Sequence, residues 1–466
     1  MKNNRSKILS LHKLYKEESA FVKARTELKD KVIETKKKYQ SILSIVPIVN
    51  QQYNEENLLI NIPYSLKDNI STKNIRTTGG SLLLNNYEPL FDSYVAQLLK
   101  ESGATLVAKD ALDEFGLGGT GTWCAYGKVF NPYDINLIPG GSSSGSNVNV
   151  STNLVAFSIG TDTGDSIRHP ASFLNNVGYK PTYGLISRYG VFPFSPSLDT
   201  VGVIASYVTD VAIVLDALVK KDNRDFSNVT SLQKDYFKNL NAKNLTDIKV
   251  LYIKNCEQYM YEDAKEEWKK YLAYLKRYIN IAEIDFDEKL IDSLLPTYNA
   301  ISFAEATTSL ANLTGMTFGN KEIGKNYYES ISLTRTKYLG EQIKKRFLLG
   351  SYVLTSEHYD EIFNKAKKIR RIIKEKVDSL LKEYDAIIIP GASSFALSYE
   401  ELIASGMNKC DDLLLLANFS GNPSITIPAI KLNPKFLGIN LLGKAFQDQE
   451  LLNIALSIEN INEQYK

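Results

Sequence analysis

The stretch LIPGGSSSGSNVNV, residues Leu137–Val150, places three glycines and four serines between apolar flanks. Runs of glycine and serine are most often flexible loops or linkers. No lysine follows these glycines, so the GxxxxGK[ST] pattern of a phosphate-binding loop is not met. The GxSxG pattern of a nucleophile elbow is met, with Ser143 at its centre, but an elbow follows a strand and the preceding NPYDINL is typical of a loop. Composition alone leaves the role of this stretch open.

A second stretch of small and polar residues, GTDTGDSIRHPAS, spans Gly160–Ser172. A buried strand is predicted to end at Gly160, and Pro170 suits the first turn of a short helix. A turn between strand and helix can present successive backbone N–H groups at one point, as an oxyanion hole requires. Ser166 lies in this turn, 24 residues after Ser142, and its plainer interpretation is a capping serine.

A third feature is a lysine within an apolar segment, Lys67 in NIPYSLKDNI. Lysine is seldom buried, so the plainer interpretation is a side chain that reaches the surface. The functional interpretation is that burial lowers the pKa of Lys67, so that its neutral amine can act as a base.

Together, IPYSLKDN with Lys67, PGGSSSGS with Ser142 and GTDTGDSIRHPA with Ser166 resemble the motifs of the amidase signature family, in their order and in the spacing of the two serines. The resemblance runs from about residue 55 to the C-terminus and is strongest from 60 to 203. Within the family, the chain is most similar to the glutaminase subunits of tRNA-dependent amidotransferases, through stretches such as AEATTSLANLTG and DDLLLLANFSGNPSITIP.

The resemblance implies a Ser-cis-Ser-Lys triad. Ser166 is expected to attack the side-chain amide of glutamine. Ser142, preceded by a cis peptide bond in the family, is expected to pass the proton to neutral Lys67 and to help deliver one to the leaving ammonia.

The resemblance also implies how the substrate is held. The oxyanion is expected to bind four consecutive backbone N–H groups, those of Thr163, Gly164, Asp165 and Ser166. Arg346 and Asp411 align with family residues that bind the α-carboxylate and the α-ammonium of glutamine, a charge pair that suits a zwitterion. Without the resemblance, both would be interpreted as surface charges.

Some residues depart from the family pattern. Asp165 replaces a glycine before the nucleophile, where a carboxylate facing the site would oppose an oxyanion, and one turned away, toward Arg168, would be harmless. Ser144 also replaces a glycine, Asn440 replaces a glutamine, and ANLTG lacks the usual Arg and Asp. We interpret His169 as a local hydrogen-bonding residue, and the basic stripe at residues 365–376 as a solvated helix face.

The implied function is glutamine hydrolysis, with ammonia passing through a channel to a partner subunit that activates Glu-tRNA(Gln), and also Asp-tRNA(Asn), with ATP and Mg²⁺. The expected partners are the B and C subunits and, through the complex, misacylated tRNA. The chain has no ATP or metal motif, so we expect no cofactor in the chain itself. Two alternatives stay open: a stand-alone amide hydrolase of the same family, and a scaffold subunit silenced by Asp165.

Apolar runs predict strands at residues 105–109, 153–160, 248–254 and 386–390, and apolar positions at three- and four-residue steps predict a long helix at residues 357–384. The alternation of predicted helices and strands indicates an α/β fold with a mixed, mostly parallel sheet covered by helices on both sides. Residues 1–50 are expected to form amphipathic helices that pack on the body or on a partner. Residues 51–466 are expected to form one amidase signature domain. The polar stretch at residues 221–247 is the best candidate for a surface excursion or a subdomain boundary.

Composition limits the function classes. The 466 residues are 44% hydrophobic with a formal net charge of +2, so nothing in the total charge demands nucleic acid or a membrane surface. Three widely spaced cysteines indicate neither a disulfide framework nor a zinc site. The basic N-terminus lacks a long apolar core, and no segment approaches about 20 uninterrupted apolar residues. We therefore expect a cytoplasmic protein with no membrane contact.

Overall fold

One mixed β-sheet of eleven strands organises the computed structural model, which describes residues 5–49, 52, 54–229, 235–405 and 408–465. The strands are β1 (Ile42–Ile45), β2 (Pro63–Lys67), β3 (Thr105–Asp110), β4 (Phe157–Asp162), β5 (Val177–Lys180), β6 (Thr200–Ala205), β7 (Lys249–Ile253), β8 (Asn280–Ile284), β9 (Ala386–Pro390), β10 (Ser424–Leu432) and β11 (Lys435–Leu442). Their order across the sheet is β1-β3-β2-β4-β6-β5-β10-β11-β9-β7-β8.

The α/β class and the mixed sheet are confirmed. Parallel pairs form two groups, β3-β2-β4 and β9-β7-β8. Between these groups all five neighbouring pairs are antiparallel, and the edge pair β1-β3 is antiparallel too. Six of the ten pairs in the described sheet are therefore antiparallel, more than the helix–strand alternation indicates. One reason is that β5 joins β6 through a loop and that β10 and β11 form a hairpin, and neither connection needs a helical crossover.

The α-helices of the described residues carry both the site and the covering layers. They are α1 (Lys7–Leu14), α2 (Glu18–Tyr39), α3 (Tyr94–Glu101), α4 (Ser144–Ser151), α5 (Arg168–Phe173), α6 (Val208–Leu218), α7 (Tyr236–Asn239), α8 (Glu262–Leu275), α9 (Glu288–Ser309), α10 (Tyr327–Tyr338), α11 (Glu341–Val353), α12 (Lys365–Glu383), α13 (Tyr399–Ser405), α14 (Lys409–Asp412), α15 (Leu415–Ser420) and α16 (Asp448–Asn462). Every residue of β2, β4, β5, β6 and β9 is buried, so both faces of the sheet are covered there.

The N-terminal segment forms two helices that lie against the rest of the chain. Asp210 on α6 accepts hydrogen bonds from the backbone N–H groups of Lys7 and Ile8, each at 3.0 Å, and from the hydroxyl of Ser6. Ile8 is fully buried in the core. After α2 the chain adds β1 to the sheet beside β3, an edge strand that the sequence analysis missed.

Some boundaries differ from the sequence analysis. The strand predicted at residues 153–160 begins only at Phe157, because Asn153 has a left-handed φ of 54° in the turn that follows α4. The long helix predicted at residues 357–384 is a π-helical turn, Tyr359–Asn364, followed by α12. The polar stretch at residues 221–247 contains α7, and residues 230–234 lie outside the described residues.

The sheet places three chain segments at one edge. The parallel strands β2, β3 and β4 all end there, at Lys67, Asp110 and Asp162, and the chain leaves β4 into the turn that carries Ser166. The carboxyl edge of parallel strands is where α/β proteins usually bind ligands. Within the described residues, no helix is both long enough and apolar enough to cross a membrane.

Candidate active site

Lys67 is the last residue of β2 and is fully buried. Its Nζ lies 2.7 Å from Ser142 Oγ, 2.9 Å from Ser143 Oγ and 3.3 Å from the carbonyl oxygen of Thr161. The lysine predicted to be buried is thus in direct contact with the serine predicted to relay its proton.

Burial lowers the pKa of Lys67 to about 7, and four surrounding carboxylates oppose that shift. These carboxylates belong to Asp113, Asp162, Asp199 and Asp165. At neutral pH a large fraction of the Lys67 side chain is therefore the free amine that a general base requires.

Ser142 and Ser143 precede α4, and the peptide bond between Gly141 and Ser142 is cis. Two glycines fit the backbone conformation and the close packing at this point. Gly140 has a φ of +75°, and a Cβ on Gly141 would lie 2.4 Å from Oδ2 of Asp113. That aspartate is held in turn by three backbone N–H groups, those of Thr120, Gly121 and Trp123.

Ser143 does not have the setting of a nucleophile elbow. It follows a loop rather than a strand, it is fully buried, and its hydroxyl donates a hydrogen bond to the carbonyl of Thr161 at 3.1 Å. Its backbone N–H also donates to the carbonyl of Ser166 at 3.1 Å, which ties the two serine-bearing segments together. Ser143 therefore positions its neighbours and offers no exposed nucleophile.

Ser166 lies between β4 and α5 and is 5% exposed. Its hydroxyl makes no hydrogen bond to any residue that the structure describes, and the structure joins Ser166 to Ser143 through the backbone rather than to Ser142 through the side chain. A hydroxyl without an internal partner at the edge of a buried site is available to a substrate.

The turn after β4 offers four unused donors. The backbone N–H groups of Thr163, Gly164, Asp165 and Ser166 find no acceptor within the described parts of the chain. The next residue, Ile167, donates its N–H to Asp162 Oδ2 at 3.0 Å, which fixes the end of the turn. Four successive free N–H groups beside a serine hydroxyl form an arrangement that can bind an oxyanion.

Arg168 does not bind Asp165, contrary to one of the expectations from the sequence. Its guanidinium is fully buried and is engaged by Asp162 at 3.0 and 3.1 Å, by the Gly164 carbonyl at 2.6 Å and by the Asn418 side chain at 2.7 Å. Burial raises the pKa of the Asp162 carboxyl, but the Arg168 guanidinium together with hydrogen bonds from Asn418 and Ile167 outweighs burial and lowers that pKa. Arg168 therefore holds the turn and also reaches Leu414 and Ser424 outside it.

Arg346 and Asp411 occupy different settings. The Arg346 guanidinium lies over the Phe303 ring at 5.3 Å, forms no hydrogen bond to the described residues, and has a pKa lowered by burial. Asp411 accepts hydrogen bonds from the N–H and hydroxyl of Ser393, at 2.6 and 2.8 Å, and from the N–H of Asn408 at 3.2 Å. Neither side chain is the solvated surface charge that the residues alone suggest.

Two residues near the site were missed. Asp199 accepts a 2.6 Å hydrogen bond from the Thr163 hydroxyl, and its segment SPSLDTVG lies within the region where the resemblance is strongest. Tyr298 on α9 lies against Gly164, where an added Cβ would be 3.3 Å from its ring. No local sequence signal marks Tyr298, because a tyrosine in a helix is usually part of the core.

The structure gives other residues settings that differ from the sequence-based interpretation. His169 makes no side-chain hydrogen bond to the described residues; its Nε2 lies 3.9 Å from Asp411 Oδ1 and its Nδ1 has no partner there. The basic stripe on α12 is not wholly solvated, because Arg370 donates hydrogen bonds to Phe419 and Ser197. Asn440 bonds across the sheet to Ser424 and Thr426, which is a structural role.

A cavity of about 820 Å³ lies beside the site rather than on it. A narrow space lined in part by Thr161, Thr163 and Asp199 borders it, and both share Arg188 and Asp199. Thr163 in the turn therefore lies close to this cavity.

Comparisons with known proteins match most of this chain to one family. Residues 24–452 match the family described as Amidase. The chain is 42% identical to the A subunit of the glutamyl-tRNA(Gln) amidotransferase of Mycoplasma genitalium, over 98% of both chains. It is 36% identical to the corresponding protein from Pelagibacter ubique, over 88% of this chain and 85% of that one.

Solved structures show the same fold. The crystal structure of the glutamyl-tRNA(Gln) amidotransferase A subunit from Thermotoga maritima has a TM-score of 0.77 at 31% identity, and the match covers 93% of this chain and 91% of that one. A peptide amidase from Stenotrophomonas maltophilia has a TM-score of 0.79 at 24% identity, covering 94% and 93%.

Proposed function

Because this chain belongs to the amidase family, we propose that it hydrolyses the side-chain amide of glutamine as the glutaminase subunit of a tRNA-dependent amidotransferase. The similarity to amidotransferase A subunits over nearly the full length of both chains supports this function. The observation that carries the chemistry is the buried Lys67 amine, 2.7 Å from Ser142 Oγ and next to a turn with four free N–H groups.

In the first step, Ser166 Oγ attacks the amide carbon of glutamine. Its proton passes to Ser142 Oγ, whose own proton passes to the neutral Lys67 amine. The carbonyl oxygen of the substrate becomes an oxyanion that the free N–H groups of the turn stabilise. The short Lys67–Ser142 contact supports this relay, and the uncommitted Ser166 hydroxyl suits the nucleophile.

In the second step, the carbon–nitrogen bond breaks and the leaving nitrogen takes a proton from Lys67 through Ser142, so that ammonia departs. The product is an ester between Ser166 and the glutamyl side chain. Water then attacks this ester by the reverse relay and releases glutamate. Lys67 is neutral again at the end of the cycle.

Recognition of glutamine uses one cation and one anion. The Arg346 guanidinium, which has no hydrogen-bond partner in the described chain, suits the α-carboxylate, and Asp411 suits the α-ammonium. The aromatic ring of Tyr298 packs on Gly164, lies within electrostatic range of Arg346 and can shield the amide from water.

The released ammonia would pass to a partner subunit in a complex with B and C subunits. In this proposal ATP and Mg²⁺ act in the partner subunit, where Glu-tRNA(Gln), and also Asp-tRNA(Asn), is activated and amidated. This chain meets misacylated tRNA only through the complex, and works in the cytoplasm. The similarity to the A subunits of glutamyl-tRNA(Gln) amidotransferases supports this assignment.

The test measures glutamate and ammonia released from glutamine by the full chain, alone and with B and C subunits. We expect Ser166→Ala to abolish turnover and Lys67→Ala to lower kcat about 10²–10⁴-fold. Ser144→Ala is the matched control, because the buried Ser144 hydroxyl has no hydrogen-bond partner in the described chain, the triad residues included. Turnover of aryl amides without glutaminase activity would favour a stand-alone amidase, and failure of a fluorophosphonate to label Ser166 would favour a silenced scaffold.

A further inference from the structure

Asp165 stands directly before the proposed nucleophile, at a position where the chain departs from the family pattern. We infer that the Asp165 carboxylate, together with Asp411, forms the subsite for the α-ammonium group of the substrate, so that Asp165 determines specificity for an α-amino acid amide. This inference rests on the proposed function and adds a residue to it.

The first observation is that the Asp165 carboxylate is unpaired. Its backbone carbonyl accepts hydrogen bonds from the N–H groups of Arg168 and His169, at 2.8 and 2.9 Å, which fixes the turn. Its side chain forms neither a hydrogen bond nor an ion pair with the described residues, and the residue is partly exposed. No protein donor in the described chain therefore satisfies this carboxylate.

The second observation is that the neighbouring cation is committed elsewhere. The Arg168 guanidinium donates hydrogen bonds to Asp162, Gly164 and Asn418. A partly buried carboxylate that remains without a partner costs folding free energy unless a ligand supplies the missing positive charge.

The third observation is a buried imidazole next to a second carboxylate. His169 is 3% exposed, its Nε2 lies 3.9 Å from Asp411 Oδ1, and its Nδ1 has no partner in the described chain. His169 and Asp411 both lie close enough to Asp165 to act on it electrostatically. Two carboxylates thus lie within electrostatic range of each other, and protein donors in the described chain satisfy only Asp411.

The fourth observation is that a charge of opposite sign, that of Arg346, lies near Tyr298. Both Arg346 and Asp165 act electrostatically on Tyr298, whose ring packs on Gly164. Arg346, like Asp165, has no hydrogen-bond partner in the described chain. An unpaired cation and an unpaired anion that both lie near Tyr298 match a substrate with a carboxylate and an ammonium, which an α-amino acid has and a simple amide lacks.

The test compares glutamine with glutaramic acid, which keeps the carboxylate and the amide but lacks the α-amino group. It uses the full chain, alone or with B and C subunits, under whichever condition gives turnover that depends on Ser166. For Asp165→Asn we expect kcat/KM for glutamine to fall about 10–100-fold, the effect of losing one hydrogen bond to a charged group. The value for glutaramic acid should stay within about threefold.

Two further variants complete the test. Asp165→Glu keeps the charge and should restore part of the preference for glutamine, whereas Asp412→Asn removes a carboxylate next to Asp411 and should leave the preference unchanged. An equal loss on both substrates, or no loss on glutamine, would overturn the inference. If the unmodified protein turns over neither substrate in a way that depends on Ser166, the proposed function itself fails, which is a distinct result.

Discussion

At the scale of single residues, the burial of Lys67 sets the pH range of the reaction. Burial lowers the pKa of Lys67 to about 7, so the amine is protonated as the pH falls below that value and no longer accepts a proton from Ser142. We expect kcat/KM for glutamine to fall about tenfold per pH unit below 7 and to level off above 8. A profile measured from pH 5.5 to 9 checks this, and a flat profile down to pH 5.5 would contradict a lysine base.

Asp165 is expected to change how the free energy of unfolding depends on pH. Burial raises the pKa of Asp165 from 3.8 to about 7, so the folded protein keeps a proton that the unfolded chain releases. This group therefore lowers the free energy of unfolding as the pH rises from 4 to 7. Asp165→Asn should be more stable than the unmodified protein at pH 8, by about 1 kcal/mol or more, and equally stable near pH 4. Denaturant titrations at both pH values measure the difference; a loss of stability at pH 8 would show that Asp165 has a partner.

At the scale of elements, Asp210 links the first helix to the body. Its carboxylate accepts hydrogen bonds from Ser6, Lys7 and Ile8 at the start of α1, although it belongs to α6. Asp210→Ala leaves these buried donors unsatisfied and should lower the free energy of unfolding by about 1–3 kcal/mol. Hydrogen exchange should rise in residues 7–14, while kcat/KM for glutamine stays within about twofold. Unchanged exchange there would mean that Ile8 packing alone holds α1.

Elements also show what the sequence could predict. β3, β7 and β9 lie where their apolar runs predict them, because short strands between helices leave a strong pattern. β1 was missed because it forms only by pairing with β3, and the start of β4 is shifted by the left-handed turn at Asn153. The motifs predicted Lys67 beside Ser142, whereas the direction of the Asp165 side chain could not be predicted, because it depends on Arg168 being held by Asn418, 250 residues away.

At the scale of the whole molecule, the sheet unites segments that are far apart in sequence. Lys67 ends β2, Ser166 follows β4, and Ser142 reaches them from the loop before α4. Arg346 and Asp411 come from α11 and α14 in the C-terminal half of the chain. One buried side chain, Arg168, joins these halves, because it binds Asp162 and Gly164 on one side and Leu414, Asn418 and Ser424 on the other.

Because Arg168 contacts both halves of the chain, its loss should affect both the free energy of unfolding and the activity. Arg168→Met leaves Asp162 as a buried charge without its cation and should lower the free energy of unfolding by about 3–5 kcal/mol. The turn also loses its anchor at Gly164, so glutamine turnover should fall even where the protein remains folded. The double variant Asp162→Asn, Arg168→Met leaves no buried charge without a partner, so stability should recover in part while turnover stays low. Denaturant titrations and glutaminase assays on the three proteins check this; if the double variant is as unstable as Arg168→Met, packing rather than the buried charge makes Arg168 essential.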